Sequence, residues 1–314
     1  MHLASMAELG NRPASGVLCE SGVRTTHADS SRPVLAAALV AVRCPVCTGR
    51  LTMVNRELQC ERGHSFDIAR QGYVNLTPGG SRPAAADTAA MVGARGRFLD
   101  RGHYAPIAAA LSSLGARLDP GNAEPGVVVD LAGGTGYYLA AVLAAVPGRI
   151  GVCLDLSKPA LRRAASAHPR AAAIGTDVWH PFPLADRSAA IAMSAFGPRN
   201  TAETIRVLGP GGVFLMVTPT AQHLGEVIAP LGMLSVDAAK ADRLAASMSG
   251  LELATAQTLS YQVALTHSDL SDLVAMGPSA YHVRPDQLAQ RVQALPDPAP
   301  VTVSVTLSAY RPLA

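Results

Sequence analysis

Four residues near the amino end restrict what this chain can fold into more than any others: Cys44, Cys47, Cys60 and His64. Their spacing is C-x2-C-x12-C-x3-H. A C-x2-C pair sits on a tight turn that aims both sulfurs inward, and Gly63 beside His64 permits a second such turn. Three thiolates and one imidazole complete a tetrahedron, the geometry that zinc takes. No position is left for water, so the metal expected here is a structural Zn2+, not a catalytic one. The alternative for the same residues is a buried thiol cluster without metal. Cys19 lies in a segment without apolar periodicity, and Cys153 lies in an apolar run where a thiol serves as a small hydrophobe. None of this makes a disulfide framework, which fits a reducing, cytoplasmic setting.

The charge sits unevenly. Residues 41–82 hold Arg43, Arg50, Arg56, Arg62, Arg70 and Arg82 against Glu57, Glu61 and Asp67, an excess equal to the formal net charge of the whole chain, +3. A small basic module of this kind can engage phosphate, and the plainer reading is a solvated surface. The longest apolar run near the amino end, residues 34–42, is too short to span a bilayer, so no membrane association is expected.

Composition and turn signals divide the chain. Residues 1–40 read as a disordered extension, with a short helical lead-in at 34–42. Residues 41–82 hold the cysteine module and the start of a Pro/Gly linker that runs over 77–86. Residues 83–314 form the main domain. In that domain helices are predicted over 88–99 and 104–117. Strands at 127–131, 150–154, 171–175, 189–195 and 213–218 then alternate with helices at 137–146, 158–167 and 201–208. Further helices are expected at 223–230, 237–248, 269–276 and 286–294. Strands at 252–265 and 301–309 close the chain as an antiparallel pair at one edge. Such alternation implies an α/β fold: a mostly parallel sheet with helices on both faces.

The run Val127–Tyr137 is a strand, a Gly-rich turn and a helix start. Close backbone approach at the glycines and free N–H groups at the helix end suit a nucleotide-like ligand. The dehydrogenase pattern G-x-G-x-x-G does not fit. An acid, Asp130, followed by small residues at Ala132, Gly134 and Gly136 does resemble motif I of class I methyltransferases, with Gly133 and Thr135 between them. Ala132 stands where that motif usually has its first glycine. Asp155, followed by Leu156, ends the next strand 25 residues on, where a carboxylate accepts ribose hydroxyls. Asp177, with Val178, closes the third strand, where members of the class commonly contact the adenine amino group. Each acid also reads as a helix cap or a surface residue.

Taken together, the sequence resembles the large-subunit ribosomal RNA guanine-N1 methyltransferases, a family that includes macrolide-resistance enzymes. The resemblance runs from about Cys44 to the carboxyl end. It is carried by Gly63-His64-Ser65-Phe66-Asp67-Ile68-Ala69, Gly72-Tyr73-Val74-Asn75-Leu76, Asp87, Met91, Ala94-Arg95, Phe98-Leu99-Asp100, Gly102-His103-Tyr104, motif I with Tyr137-Tyr138, and Thr218-Pro219 with His223-Leu224. It implies a Rossmann-like, seven-stranded methyltransferase sheet with a zinc module, and S-adenosylmethionine as cofactor. It implies that Tyr104, Thr135-Gly136 and His223 line the cofactor site. It implies that the loop Phe196, Gly197, Pro198, Arg199 meets the target base, here a hairpin-loop guanine of 23S ribosomal RNA. Of that loop, Pro198 matches the best-known members and Gly197 and Arg199 depart from them. Tyr104 and His223 also have plain readings as core aromatic and capping histidine.

Methyl transfer from a sulfonium rests mainly on positioning. Guanine N1 must lose a proton, and no residue identifies itself as the base. The target must be unpaired or flipped, with Phe196 and Tyr104 available for stacking. Two other classes stay open: a methyltransferase acting on a small molecule or another RNA and braced by its zinc module, and a non-catalytic RNA-binding protein. Intact Asp130, Gly134, Gly136 and Asp155 count against the second. A homodimer is a further expectation.

Overall fold

A computed structural model describes residues 33–77, 86–121, 126–234 and 248–313. The expected extension before residue 33, most of the 77–86 linker and most of the 237–248 helix lie outside the described residues.

Helix α1 (Pro33–Ala38) leads into a three-stranded antiparallel sheet of β1 (Leu51–Val54), β2 (Glu57–Cys60) and β3 (Ser65–Asp67). Strand β4 (Val74–Asn75) follows. The main domain opens with α2 (Ala89–Asp100), whose first turn is capped by the Thr88 hydroxyl accepting from the Met91 N–H, and α3 (Ala105–Leu118). Strands β5 (Val127–Leu131), β6 (Gly151–Asp155), β7 (Ala171–Gly175) and β8 (Ala189–Ala195) then alternate with α4 (Tyr137–Ala145) and α5 (Lys158–Ala167). Beyond β8 come α6 (Thr201–Val207), β9 (Leu208–Pro219) and α7 (Gly225–Leu231). The long β10 (Leu251–Leu265), α8 (His267–Ala275), α9 (Pro285–Gln293) and β11 (Ala299–Pro312) complete the chain.

The main sheet runs in the order β10-β11-β9-β8-β5-β6-β7-β4. The block β9 to β4 is parallel throughout, and β11 pairs antiparallel with both β9 and β10. The expected seven strands are therefore joined by an eighth. It comes from the cysteine module: Val74 and Asn75 pair in parallel with Ile174 and Gly175. Two residues are too few to carry a strand period, so the sequence could not announce it.

Strands buried on both faces need apolar runs, and β5 and β7 are buried at every residue. One face packs under α2, α3, α4, α7 and α8 through Phe98, Ile107, Leu111, Leu139, Val227 and Leu273. The other is covered in part by the module: Leu35, Val42, Leu58 and Leu76 share one core with Val129, Leu154 and Ile174. Backbone bonds fasten the module to the loop before β8, from the Arg43 N–H to the Pro183 carbonyl (2.9 Å) and from the Ala185 N–H to the Ala41 carbonyl (2.7 Å). Strand order reverses at β5, flanked by β8 and β6, and a crevice opens at the carboxyl ends of such strands. No described helix is long and apolar enough to cross a membrane.

Candidate functional site: a cofactor cavity and a metal cluster

The four module ligands converge. Their donor atoms all lie within 4.8 Å of one another. Cys47 Sγ and Cys60 Sγ are 3.6 Å apart, and His64 Nδ1 is 3.2 Å from Cys60 Sγ and 3.6 Å from Cys44 Sγ. Tetrahedral zinc at ordinary bond lengths sets sulfurs about 3.8 Å apart and sulfur and nitrogen about 3.5 Å apart. The donors fit that metal by type, number and spacing. Two tight turns set them up: the Thr48 N–H donates to the Cys44 carbonyl, and the Gly63 N–H to the Cys60 carbonyl.

At the carboxyl ends of β5, β6, β7 and β8 lies a cavity of about 570 Å3. It is lined by Tyr104, Asp130, Ala132, Gly133, Gly134, Thr135, Asp155, Leu156, Asp177, Val178, Phe196, Gly197 and Pro198, all expected from the sequence. Gly136 is not on its wall. It caps α4 at φ 76°, and a Cβ there would stand 3.2 Å from the Ala164 backbone, so it sets the close approach of α4 to α5. His223 also stands one layer behind the wall, against Tyr104 and Phe196. Arg199 lines a smaller adjoining hollow of about 160 Å3 with Trp179, Phe196, Gly197, Pro198 and Thr218.

Asp155 is organised by the turn it faces. Its carboxylate accepts from the Gly134 N–H (2.8 Å) and the Ser157 N–H (2.7 Å). Burial pushes its carboxyl above the usual range, and those two backbone bonds oppose the shift. Asp130 is buried to 1% exposure, its Oδ2 has no partner, and burial followed by the nearby Asp155 pushes its proton affinity well up. The Tyr138 hydroxyl is likewise buried without a partner. Two orphaned polar atoms on one cavity wall suit the polar end of a ligand. Asp177 accepts from the Trp179 N–H (3.0 Å) and faces His180 Nδ1 (3.1 Å).

Aromatic residues make up only 4% of the chain, yet they gather here. Phe196 stacks on Tyr104 (centroids 5.7 Å, 26°) and on His223 (5.8 Å, 27°), and Phe98 meets Tyr104 edge-on. Phe196 sits at φ 59° with its N–H bonded to the Val217 carbonyl (3.0 Å). A bulky residue in the left-handed region is strained, and the surrounding structure must hold it there. His223 Nδ1 accepts from the Ser304 N–H (3.2 Å), which assigns the ring proton to Nε2, facing the Tyr104 oxygen at 3.3 Å. Burial lowers the His223 pKa to about 4 and raises that of Tyr104, so both are neutral near pH 7.

Sequence reasoning missed several wall residues. Asp87 and Arg95 pair at 2.5 Å, and Arg95 also donates to the Met276 carbonyl (2.7 Å). Met276, Gly277 and Pro278 reach over the cavity from the far end of the chain, and Trp179 stands at its mouth. Asp87 and Arg95 stand among the residues that carry the family resemblance but take no role from it, and nothing local to residues 276–278 signals a ligand.

Residues 42–82 match the zinc-ribbon family described as RlmA, N-terminal. A protein of Micromonospora griseorubida named as a 23S rRNA (guanine-N1)-methyltransferase is 49% identical over 288 residues, covering 87% of this chain and 97% of its own. The 23S rRNA (guanine(748)-N1)-methyltransferase of Streptomyces fradiae is 48% identical over 275 residues, with the same two coverages. A Bacillus subtilis protein named, like the Micromonospora one, as a 23S rRNA (guanine-N1)-methyltransferase is 31% identical over 192 residues, covering 59% of this chain and 66% of its own. Identity near one half along almost the full length of two relatives, on a chain that gathers both the four metal donors and the glycine-loop cavity, places this protein in the 23S rRNA (guanine-N1)-methyltransferase family.

Proposed function

We propose that the protein transfers a methyl group from S-adenosylmethionine to N1 of a guanine in large-subunit ribosomal RNA. The observation that carries the reading is the continuity of the cavity. One wall is the glycine loop with Asp130 and Asp155, and the other is formed by Tyr104 and Phe196, with His223 packed behind them. A cofactor on the first wall and a flat base against the second would meet in one space. The names of the two long relatives specify the base, the ring nitrogen and the RNA.

When bound, S-adenosylmethionine supplies a methyl already activated by the positive charge on its sulfur. Asp155 uses one lone pair of each oxygen on the loop N–H groups, which leaves two for ribose hydroxyls. Asp177 and Val178 edge the region expected to take the adenine. Asp130 and Tyr138 offer their unpartnered oxygens to the polar end of the cofactor. The Nε2–H of His223 points at the Tyr104 oxygen, so the phenol proton is free to point into the cavity. In this arrangement neither residue is a base for the guanine N1 proton. Their work is to orient the base and exclude water. Phe196 and Tyr104 offer ring faces to an extruded base.

The same proposal covers the finer points. The target is a hairpin-loop guanine, where an unstacked base is accessible. The zinc module and its arginines grip RNA by shape and phosphate. The setting is the cytoplasm, where ribosomes are assembled. A homodimer would draw support from the exposed outer strand β10, whose residues 252–258 are exposed throughout.

The test is reverse-transcription mapping of ribosomal RNA from a strain lacking the gene, treated with purified protein and S-adenosylmethionine. Methyl on N1 blocks Watson–Crick pairing, so a cofactor-dependent stop at one guanine is expected. No stop and no labelled methyl retained in the RNA would remove the ribosomal substrate and favour a small-molecule acceptor.

A further inference from the structure

The strongest unassigned feature is the guanidinium of Arg199. Arg95, Arg170 and Arg206 are partly buried and Arg149 is buried, and each finds a carboxylate or carbonyl partner. Arg199 is half-buried in the small hollow, and no hydrogen bond or ion pair to another described residue satisfies it. Its electrostatic neighbour is the phenol of Tyr310, and desolvation lowers its proton affinity. A half-desolvated cation without a counter-group is costly unless a ligand completes it. Across the same hollow stands Trp179, the single tryptophan of the chain, with 65% of its surface exposed. Its backbone is fixed by the turn that Asp177 makes. Trp179 and Phe196 line both the hollow and the cofactor cavity, so an occupant of the hollow borders the cavity.

We propose that Arg199 reads the O6 and N7 edge of the target guanine while the Trp179 indole stacks on its ring, making the pair the base-specificity element of the site. The assignment rests on the guanine-N1 reading above. The guanidinium fork matches the two acceptors O6 and N7 of guanine. Contact on that edge leaves N1 uncovered, free to face the cavity. Adenine offers N7 but sets an amino group where O6 would be, and donor would meet donor. The exposed indole supplies a flat face on which an unstacked base can stack.

The experiment uses the full chain and an RNA fragment with the mapped guanine replaced by 7-deazaguanine. That change removes N7 and keeps O6, N1–H and pairing. The wild-type protein is expected to lose about tenfold or more in kcat/KM on the 7-deaza RNA, the scale of one lost bidentate contact. Arg199→Ala should be weak on both RNAs and indifferent to the substitution, and Arg199→Lys should discriminate only partly. S-adenosylhomocysteine affinity of Arg199→Ala, measured by calorimetry, should match wild type, since Arg199 does not line the cofactor cavity. Trp179→Ala should raise KM about tenfold and Trp179→Phe far less. Equal wild-type rates on the two RNAs would overturn the assignment and leave the guanine-N1 reading standing. So would an Arg199→Ala protein that still loses tenfold on the 7-deaza RNA. Absence of methylation on either RNA would remove the underlying reading and this one with it.

Discussion

The metal cluster and the cofactor cavity are built on opposite plans. The cluster draws its donors from residues 44–64, on two short turns of one small sheet. The cavity draws its wall from residue 86 to residue 278, across four strands, the start of α4 and the end of α8. The first is closed by local geometry. The second exists only once the sheet has ordered its strands and the carboxyl-terminal segment has folded back. Yet the two are coupled, because the module shares a core with the sheet and lends it β4.

That coupling can be broken most forcefully at the metal. Structural zinc contributes on the order of 10 kcal/mol of apparent folding energy in small peptides, comparable with the whole stability of a domain. Chelation, or Cys60→Ser, is expected to lower Tm of the entire protein by more than about 10 °C in a single cooperative transition. Calorimetry with metal analysis checks this. A separate low-temperature transition, with the main domain unmoved, would show the module to be an independent unit despite the shared core.

Asp155→Asn strikes the cavity and spares the cluster. An amide has one acceptor oxygen, so either the Gly134 or the Ser157 N–H loses its partner. The charge and one acceptor oxygen are also lost to the ribose hydroxyls, so the expected loss is about 10- to 100-fold in S-adenosylhomocysteine affinity by calorimetry, from about 1.5–3 kcal/mol for a hydrogen bond to a charged group. Zinc content should stay unchanged. A variant that binds normally would mean that Asp155 braces the loop and does not hold the ligand.

The same contrast explains what was legible in the sequence. The cluster was readable from spacing alone, because four donors on two turns leave little freedom. The strands 127–131, 171–175 and 189–195 were readable because parallel strands buried on both faces must be apolar runs. Asp130, Gly134 and Asp155 were readable because a strand end and a glycine turn fix their places. Met276, Gly277 and Pro278 were not, since their approach to the cavity depends on how α8 packs against α2. That packing is an ion-pair network of Arg97 and Arg101 with the buried Asp269 and Asp272, and long-range pairs leave no local pattern. His223 was placed by family resemblance, and its position behind the wall follows from Ser304 on β11, a partner 81 residues away.

The histidine gives a smaller test. Its pKa falls from the ordinary 6.5 to about 4 because burial disfavours the charged ring. As pH falls, the unfolded chain takes the proton first. The neutral imidazole's contribution to stability is therefore intact above about pH 6.5 and is lost as pH falls from there toward 4. His223→Gln removes that proton uptake, so its stability should fall less steeply over this window in urea titrations at stepped pH. A variant with the wild-type slope would show that other groups carry the acid sensitivity. The kcat profile of the wild type should show no step from His223 between pH 5.5 and 8.

The smallest expected effect lies where motif I departs from its usual form. Ala132 takes φ 53°, in the left-handed region that costs a residue with a Cβ roughly 1–2 kcal/mol. Ala132→Gly removes that strain and gains freedom in the unfolded chain, which offsets part of the benefit at about 0.4–1 kcal/mol. The net expectation is a gain of a few tenths to about 1 kcal/mol, read as a rise in Tm of about 1–3 °C. Cofactor affinity should change little, because the Ala132 methyl adds no polar contact to the wall. The adjacent position should behave oppositely: a Cβ on Gly133 would lie 2.5 Å from Asp130 Oδ2 and 2.7 Å from Cys153 Sγ, so Gly133→Ala should cost both stability and binding. If Ala132→Gly weakened the cofactor instead of stabilising the fold, the strained alanine would be holding the loop open for its ligand, and the cavity would prove as locally determined as the metal cluster.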